Sequence, residues 1–394
     1  MVHKKTSMNI GLDLRNIGKK RTGDETVFFH LAKHLPQVGR GDTFQFLLDN
    51  RTESEMKHIK KRLHGDGSWS QNVTFHQLGN GNKFLWNALL APYSARSLHL
   101  DIYHTQYIIP FFMPKKTKIV THIHDISFMK FPEYISLKDR FFLNTLIPRS
   151  LKQSSAIIAV SEFTKQEIVS SYGIKPEKIF VVSNASDVLP MKKSLCANER
   201  IRVQKKYNLP ESFLFHIGTL QPRKNIPFLL EGFFRLRERN PDISLLCTGT
   251  KNSYHYDNRI DDVIAKYHLE KNVRFLGYVE EKDLSSIMDL SRAVVSVSLY
   301  EGFGLPLLEA MNRGVCLVVS DIPAYREVAN DAPVYVHLGD VKELTESLYR
   351  VIMDKPFADA LREKGLSRSV FFSWEQSAKT LVDVYHAIAE KNNV

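Results

Sequence analysis

The sequence predicts an α/β protein made of two doubly wound domains, each a parallel sheet with helices on both faces. Three observations predict it. Short apolar, β-branched runs alternate with helical patterns, and strand–helix alternation favours parallel sheets. The alternation occurs twice along the chain. A length of 394 residues exceeds one ordinary core and suggests two domains of roughly 150–200 residues each.

The first series of strands is expected at Met8–Leu12, Thr43–Leu48, Ile102–His104, Lys118–His122, Ala156–Val160 and Ile179–Val182. The second is expected at Phe213–Ile217, Ser244–Thr248, Val273–Phe275, Ala293–Ser298, Val315–Val319 and Val334–Val336. Helical patterns separate most of them, at Thr26–His34, Phe163–Ser171, Ile226–Arg239, Lys282–Asp289 and Val341–Met353. The largely polar stretch Ser183–Pro210 reads as the break, giving domains at 1–190 and 191–372. Ser373–Lys391 reads as one or two amphipathic helices with no strand after them. This 373–394 tail is expected to pack back on the first domain. Ligands of open α/β sheets sit outside the carboxyl ends of the strands, so two such domains facing each other would form a cleft.

Composition narrows the function. No apolar run approaches the ~18 residues of a membrane span, and no apolar signal core follows the basic start. Cys196, Cys247 and Cys316 form no Cys-x-x-Cys pair, so a disulfide framework or structural zinc is not expected. These features suggest a soluble cytoplasmic protein. The net charge of +11 is uneven: residues 1–190 hold 26 Lys and Arg against 16 Asp and Glu. The first half is therefore expected to face something anionic, such as the inner face of a membrane. A solvated basic surface would look the same. No nucleic-acid-binding motif accompanies the charge.

Several nucleotide motifs are missing. There is no Gly-x-Gly-x-x-Gly, and in Gly18-Lys-Lys-Arg-Thr-Gly23 the following Asp24 stands where a Walker loop needs lysine. There is no nucleophile elbow Gly-x-Ser-x-Gly. No Asp-x-Asp occurs, so a diphosphate here would be held by cations and backbone amides, without a metal.

The informative stretch is Ser298-Leu-Tyr-Glu-Gly-Phe-Gly-Leu-Pro-Leu-Leu-Glu-Ala-Met311. Pro306 suits the first turn of a helix and Gly314 the position past its end. The amides of Gly302, Phe303, Gly304 and Leu305 would then lie at a helix N-terminus, which attracts phosphate and also binds hydroxyls. Glu301 and Glu309 bracket the turn, and carboxylates are poor phosphate ligands but good acceptors for sugar hydroxyls. A capped helix with Glu309 as a favourable first-turn charge would read the same. A second stretch, Gly218-Thr-Leu-Gln-Pro-Arg-Lys-Asn225, puts Arg223 and Lys224 after a strand and beside a helix N-terminus. Cations there oppose the dipole unless they serve an anion or are solvated.

These two stretches together resemble the retaining glycosyltransferases of family 4. The likeness extends to Val120-Thr-His-Ile-His-Asp125, Val160-Ser-Glu-Phe-Thr164, Val181-Val-Ser-Asn184, Phe275-Leu-Gly-Tyr278 and Phe372-Ser-Trp374, so it covers most of the chain. The resemblance implies the GT-B fold, two Rossmann-like domains with the nucleotide-sugar donor bound mainly by the second. It implies that Glu301 and the Gly302–Gly304 amides hold the donor hexose and Glu309 the ribose. Arg223 and Lys224 would hold the diphosphate, Gly218 would line the donor site, and His124 would sit near the transferred sugar. Gly23 is the expected close approach to phosphate in the first domain. Thr219 stands where many relatives have arginine. The implied activity is metal-independent transfer of a hexose, with mannose from GDP-mannose the first guess, to a glycan or lipid-linked hydroxyl. The alternatives are a sugar-nucleotide epimerase on the same fold or a non-catalytic nucleotide-sugar-binding subunit.

Overall fold

The computed structural model describes residues 7–19, 23–64, 71–79, 82–186, 197–251 and 255–390. They contain two sheets, each parallel throughout. The first comprises β1 (Asn9–Asp13), β2 (Thr43–Leu48), β3 (Val73–Gln77), β4 (Ile102–Gln106), β5 (Lys118–Ile123), β6 (Ala156–Ala159) and β7 (Ile179–Val181), in the order β3-β2-β1-β4-β5-β6-β7. The second comprises β8 (Phe213–His216), β9 (Ser244–Cys247), β10 (Val273–Phe275), β11 (Ala293–Ser296), β12 (Leu317–Ser320) and β13 (Val334–Val336), in the order β10-β9-β8-β11-β12-β13. Each sheet grows outward from its first strand in both directions. The order therefore reverses between β1 and β4, and again between β8 and β11.

The central strands are buried on both faces. All four residues of β6, β11 and β12 are buried, the pattern of a parallel strand under helices on two sides. β3 has no counterpart among the expected strands. It is an edge strand, half-buried to exposed, and its Val-Thr-Phe-His-Gln lacks an apolar run to mark it. The helix Ile226–Arg239 buries Ile226, Leu229, Leu230, Phe233 and Leu236, spaced to fill one stripe. Gly232 lets this helix approach Val341–Met353 closely: a Cβ there would fall 2.6 Å from Leu344 Cδ2.

The chain forms two compact units. One holds residues up to Ile126, Leu137–Ala185 and the chain from Phe372; the other holds Ser127–Ser136 and Ser186–Phe371. Ser127–Ser136 thus leaves the expected 1–190 domain and groups with the second unit. The two units divide at Ala185 and Ser186, within the polar stretch Ser183–Pro210. A helix, Ala197–Tyr207, occupies part of Ser183–Pro210, while 187–196 lie outside the described residues. Its cations look like solvent-facing charges in sequence. In the fold Arg202 and Lys206 converge on buried Asp283, with Lys206 Nζ 2.7 Å and Tyr207 Oη 2.9 Å from Oδ2.

The tail forms one helix, Trp374–Glu390, packed in the first unit. Trp374 stacks on His30 with ring centroids 4.8 Å apart. His386 Nε2 lies 3.2 Å from Asp42 Oδ2, and Tyr385 Oη lies 2.6 Å from His104 Nδ1. The last contact is fully buried. Removing the hydroxyl strands a polar nitrogen in the core, so Tyr385→Phe should lower the unfolding free energy by about 1–3 kcal/mol. Urea titration followed by circular dichroism checks this, and an unchanged midpoint would show the bond to be dispensable.

Candidate active site

From β8 the chain goes on to β9 and from β11 to β12, toward opposite edges of the second sheet, and in open α/β sheets the carboxyl ends of two such strands are where ligands bind. After β8, the loop 217–221 enters a 3-10 turn, Pro222–Lys224, and then Asn225 at φ +55° before the helix Ile226–Arg239. After β11, the loop 297–304 enters the helix Leu305–Asn312. Backbone contacts tie the two loops together. The Leu299 N–H donates to Arg223 O at 2.8 Å, and Arg223 Nη1 donates to Tyr300 O at 3.3 Å.

Glu301 is the centre of this junction. Its Oε2 lies 3.0 Å from Arg223 Nη1. Its Oε1 pairs with Lys224 Nζ and accepts from Ser298 Oγ at 2.9 Å. Lys224 and Glu301 are both buried. Burial alone would push the Glu301 carboxyl up; the Arg223 and Lys224 charges, with hydrogen bonds from Lys224 and Ser298, reverse this and hold it at about 2. The carboxylate is therefore ionised at neutral pH and the trio carries one surplus positive charge. A surplus cation beside two helix N-termini suits a phosphate group.

The helix after Glu301 begins where backbone freedom is needed. Gly304 is its N-cap at φ +107°, and a Cβ there would fall 2.9 Å from Tyr325 Cε1. Tyr325 braces the carboxylate from behind. Its hydroxyl lies 2.6 Å from Ser296 Oγ and 3.3 Å from Ser298 Oγ, and Ser298 reaches Glu301. Gly302 and Phe303 are buried in the turn, Leu305 is half-buried, and Glu309 is half-buried one helical turn farther on. On the other loop, the Gly218 N–H donates to Thr248 Oγ1 at 2.8 Å. A Cβ on Gly218 would meet His216 Nε2 at 3.3 Å and Lys224 Cε at 3.5 Å. The structure thus gathers the candidates from Gly218 to Glu309 in the second unit. It joins Arg223, Lys224 and Glu301 in one cluster, although the sequence suggests separate phosphate and sugar sites.

His124 and Gly23 belong to the first unit. Gly23 opens the helix Gly23–Val38, and the next residue, Asp24, has Oδ1 3.9 Å from His124 Nε2. His124 ends a row of imidazoles, stacked 4.7 Å from His122, which stacks 5.5 Å from His104. Phe28 packs 5.0 Å from His104 and 5.6 Å from His122. Burial lowers His104 to about 3 and His122 well below its ordinary value, helped by neighbouring imidazoles. His216 in the second unit is lowered to about 4, by burial and the Lys224 charge.

Sequence reasoning missed Asp13, at the carboxyl end of β1 where the first sheet reverses. It is buried and gathers Tyr103 Oη at 2.9 Å, Trp86 Nε1 at 3.2 Å, Thr105 Oγ1 at 3.2 Å and Arg15 Nε at 2.9 Å. It also missed Ser298, Tyr325 and Thr248, which sit behind the site. A carboxylate directly after a strand was the one available signal for Asp13; Tyr325 and Thr248 have no motif.

Family models match both halves. One described as Glycosyl transferases group 1 matches residues 197–368, and one described as Glycosyltransferase Family 4 matches residues 21–188. The O-antigen chain mannosyltransferase B of Escherichia coli is 31% identical over 378 residues, which cover 94% of this chain and 93% of that one. The O-antigen chain mannosyltransferase RfbU of Salmonella typhimurium is 26% identical over 229 residues, 58% of this chain and 59% of its own. Among solved structures, Anabaena Alr3699/HepE in complex with UDP and glucose superposes with a TM-score of 0.72 at 18% identity, over 96% of this chain and 100% of that one. At that identity the likeness concerns the fold.

The buried imidazoles set a pH dependence. A histidine whose folded pKa is depressed binds its proton in the unfolded state first. Stability should therefore fall as pH drops from about 6.5 toward the folded values of about 4 for His216 and about 3 for His104. Each such group adds a slope of up to about 1.4 kcal/mol per pH unit. Glu301 acts in the same direction at lower pH, since its stabilisation exists above the ordinary carboxyl range and is lost toward about 2. Urea midpoints measured from pH 7 to 5 should decrease steadily; a flat profile would contradict neutral burial of these rings.

Proposed function

The chain belongs to the glycosyl transferases of group 1 and family 4, with the GT-B fold, and from that premise we propose that it is a retaining mannosyltransferase. It takes mannose from GDP-mannose and places it on a hydroxyl of a glycan or lipid-linked acceptor during polysaccharide assembly. The observation that carries this reading is the Arg223–Glu301–Lys224 cluster at the crossing point of the second sheet. The O-antigen mannosyltransferase, similar over nearly its whole length, supports mannose as the sugar. Among the described residues no helix is long and apolar enough to cross a membrane. We place the protein at the inner face of one, held by its basic first half.

In this reading Glu301 keeps the two cations in position until the donor arrives. Arg223 and Lys224 then face the diphosphate, whose negative charge grows as its oxygen leaves the anomeric carbon. Stabilising that developing charge is the main catalytic task. Glu301 and the Gly302–Leu305 turn hold the hexose, Gly218 lines the donor site and Glu309 accepts from the ribose. Gly23 and His124 act from the first unit, His124 near the transferred sugar. The test is donor turnover by the purified chain with a panel of sugar nucleotides. A preferred donor at ~100 times its dissociation constant should add about 2.7 kcal/mol of stability. Stabilisation without turnover would identify a binding subunit instead.

Lys224 and Glu309 should fail differently. The Lys224 contact strengthens in the transition state, so Lys224→Ala should lower kcat about 10²–10³-fold. Glu309 serves hydroxyls that do not change, so Glu309→Ala should chiefly raise the donor KM. Near-normal kcat in the first variant, or normal donor affinity in the second, would remove that assignment. Transfer should also persist in excess EDTA, because the chain has no Asp-x-Asp and the diphosphate is assigned to cations. Loss of activity that magnesium or manganese restores would overturn metal independence.

A further inference from the structure

His216 ends β8, two positions before Gly218, and is fully buried. Its Nδ1 lies 3.0 Å from the carbonyl of Val295 on β11. A carbonyl only accepts, so in the neutral ring Nδ1 carries the proton and Nε2 is left as a bare acceptor. Burial and the Lys224 charge lower the ring to about 4, which keeps it neutral at neutral pH. Among the described residues Nε2 has no hydrogen-bond partner.

A buried acceptor without a partner costs stability, and an apolar ring would fill the same place without that cost. The Val295 bond accounts for one nitrogen only. The other faces the loop of the candidate site. A Cβ on Gly218 would lie 3.3 Å from His216 Nε2, 3.5 Å from Lys224 Cε and 3.7 Å from Lys224 Nζ. The imidazole nitrogen and the ammonium therefore border one small space. Gly218 does not adopt a left-handed backbone, so what glycine provides here is the open space itself.

We propose that His216 is a positioning residue for Lys224: its Nε2 receives the ammonium when Glu301 turns to the donor sugar. Without ligand, Lys224 Nζ pairs with Glu301 Oε1. In the proposed function the same carboxylate accepts from hexose hydroxyls, and each lone pair given to a hydroxyl weakens its hold on a cation. Lys224 then needs another acceptor close by. A second carboxylate would bind it more strongly and cancel the charge that faces the diphosphate. A neutral imidazole directs one N–H of the ammonium and leaves its charge intact. The need for this transfer rests on the proposed transferase reading; the capacity of Nε2 to take Lys224 does not.

Two substitutions separate the nitrogens. Asparagine puts an amide at the Nδ1 position and keeps the Val295 bond; glutamine puts its carbonyl oxygen at the Nε2 position and loses that bond. His216→Asn should lower kcat about 10- to 100-fold, the worth of one hydrogen bond to a charged group, with little change in donor KM. His216→Gln should keep the higher kcat of the two, although it should unfold at the lower urea concentration. A kcat order that follows stability instead would make the ring a structural element and overturn the inference. A second measurement needs no turnover. In nitrogen-15 spectra of labelled histidine, the His216 signals are identified by their loss in His216→Gln. They should show Nδ1 protonated and Nε2 bare in the free chain. Glu301→Gln releases Lys224, so the Nε2 signal should move as it does on accepting a hydrogen bond, and adding Lys224→Met should return it. GDP-mannose added to the unsubstituted chain should move it likewise. A protonated Nε2, or one indifferent to both Glu301→Gln and GDP-mannose, would overturn the inference. The shift in Glu301→Gln without donor turnover leaves the inference standing and sinks the proposed function; turnover without either shift does the reverse.

Discussion

The second unit depends on the pairing of Glu301 with Arg223 and Lys224. These charges are withdrawn from water, and an unpaired charge there would cost several kcal/mol. β8 and β11 are paired neighbours, which starts the two loops side by side, but the strand pairing ends before the loops reach their tips. There the carboxylate holds them together, seconded by the bonds of Leu299 to Arg223 O and of Arg223 to Tyr300 O. Well-packed apolar residues often serve stability as well as a buried ion pair or better. A cluster with two cations for one carboxylate is thus a weak choice for stability and a good one for receiving an anion.

The same logic recurs in the first unit. Asp13 ends β1 where its sheet reverses, and it too is a buried carboxylate surrounded by donors. Arg15, held by Asp13, starts a loop that Arg51 fixes through the carbonyls of Arg15 and Ile17 at 3.0 and 2.9 Å. Glu25 completes the fixation by accepting the Gly18 N–H at 2.8 Å. In both sheets the crossing point is a place where backbone groups leave regular pairing. There each buried carboxylate gathers side-chain donors, Tyr103, Trp86, Thr105 and Arg15 at Asp13 and Arg223, Lys224 and Ser298 at Glu301.

The legible and illegible parts of the chain differ in their physics. Fully buried parallel strands such as Ala156–Ala159 and Ala293–Ser296 announce themselves as apolar runs, and helices such as Ile226–Arg239 by their stripe. The turn at Gly302–Gly304 is legible because its backbone geometry demands glycine, and Pro306 marks the helix that follows. Edge strand Val73–Gln77 escapes because one of its sides meets water. The helix Ala197–Tyr207 escapes because its cations look solvated until Asp283, 81 positions from Arg202 and 77 from Lys206, is brought beside them. The pairing of Lys224 with Glu301 escapes for the same reason: motif spacing reports local geometry, while ion pairing is decided by which loops the topology brings together. The imidazole row is least legible, since His104 and His122 lie on separate strands and meet only through register, His104 pairing with Val120 and Gln106 with His122.

The grouping of Ser127–Ser136 with the second unit follows from aromatic packing. The chain neighbours of this segment on both sides belong to the first unit, so connectivity alone would keep it there. Phe131 instead packs edge-on against Tyr300, 6.1 Å between centroids at 65°, and stacks on Tyr134 at 5.7 Å. Tyr134 interacts with Arg259, whose guanidinium is gripped by Asp257 at 2.8 Å. Asp257 is buried, and its N–H donates to Leu220 O at 2.9 Å on the loop after β8. The segment therefore touches both loops of the candidate site, one through Tyr300 and the other through Arg259, Asp257 and Leu220. Tyr300 presents its carbonyl to Arg223 and is followed directly by Glu301. Ring packing on Tyr300 accordingly bears on the position of the cation that Glu301 holds, and ten residues lying in sequence between His124 and Leu137 become part of what shapes the ion cluster.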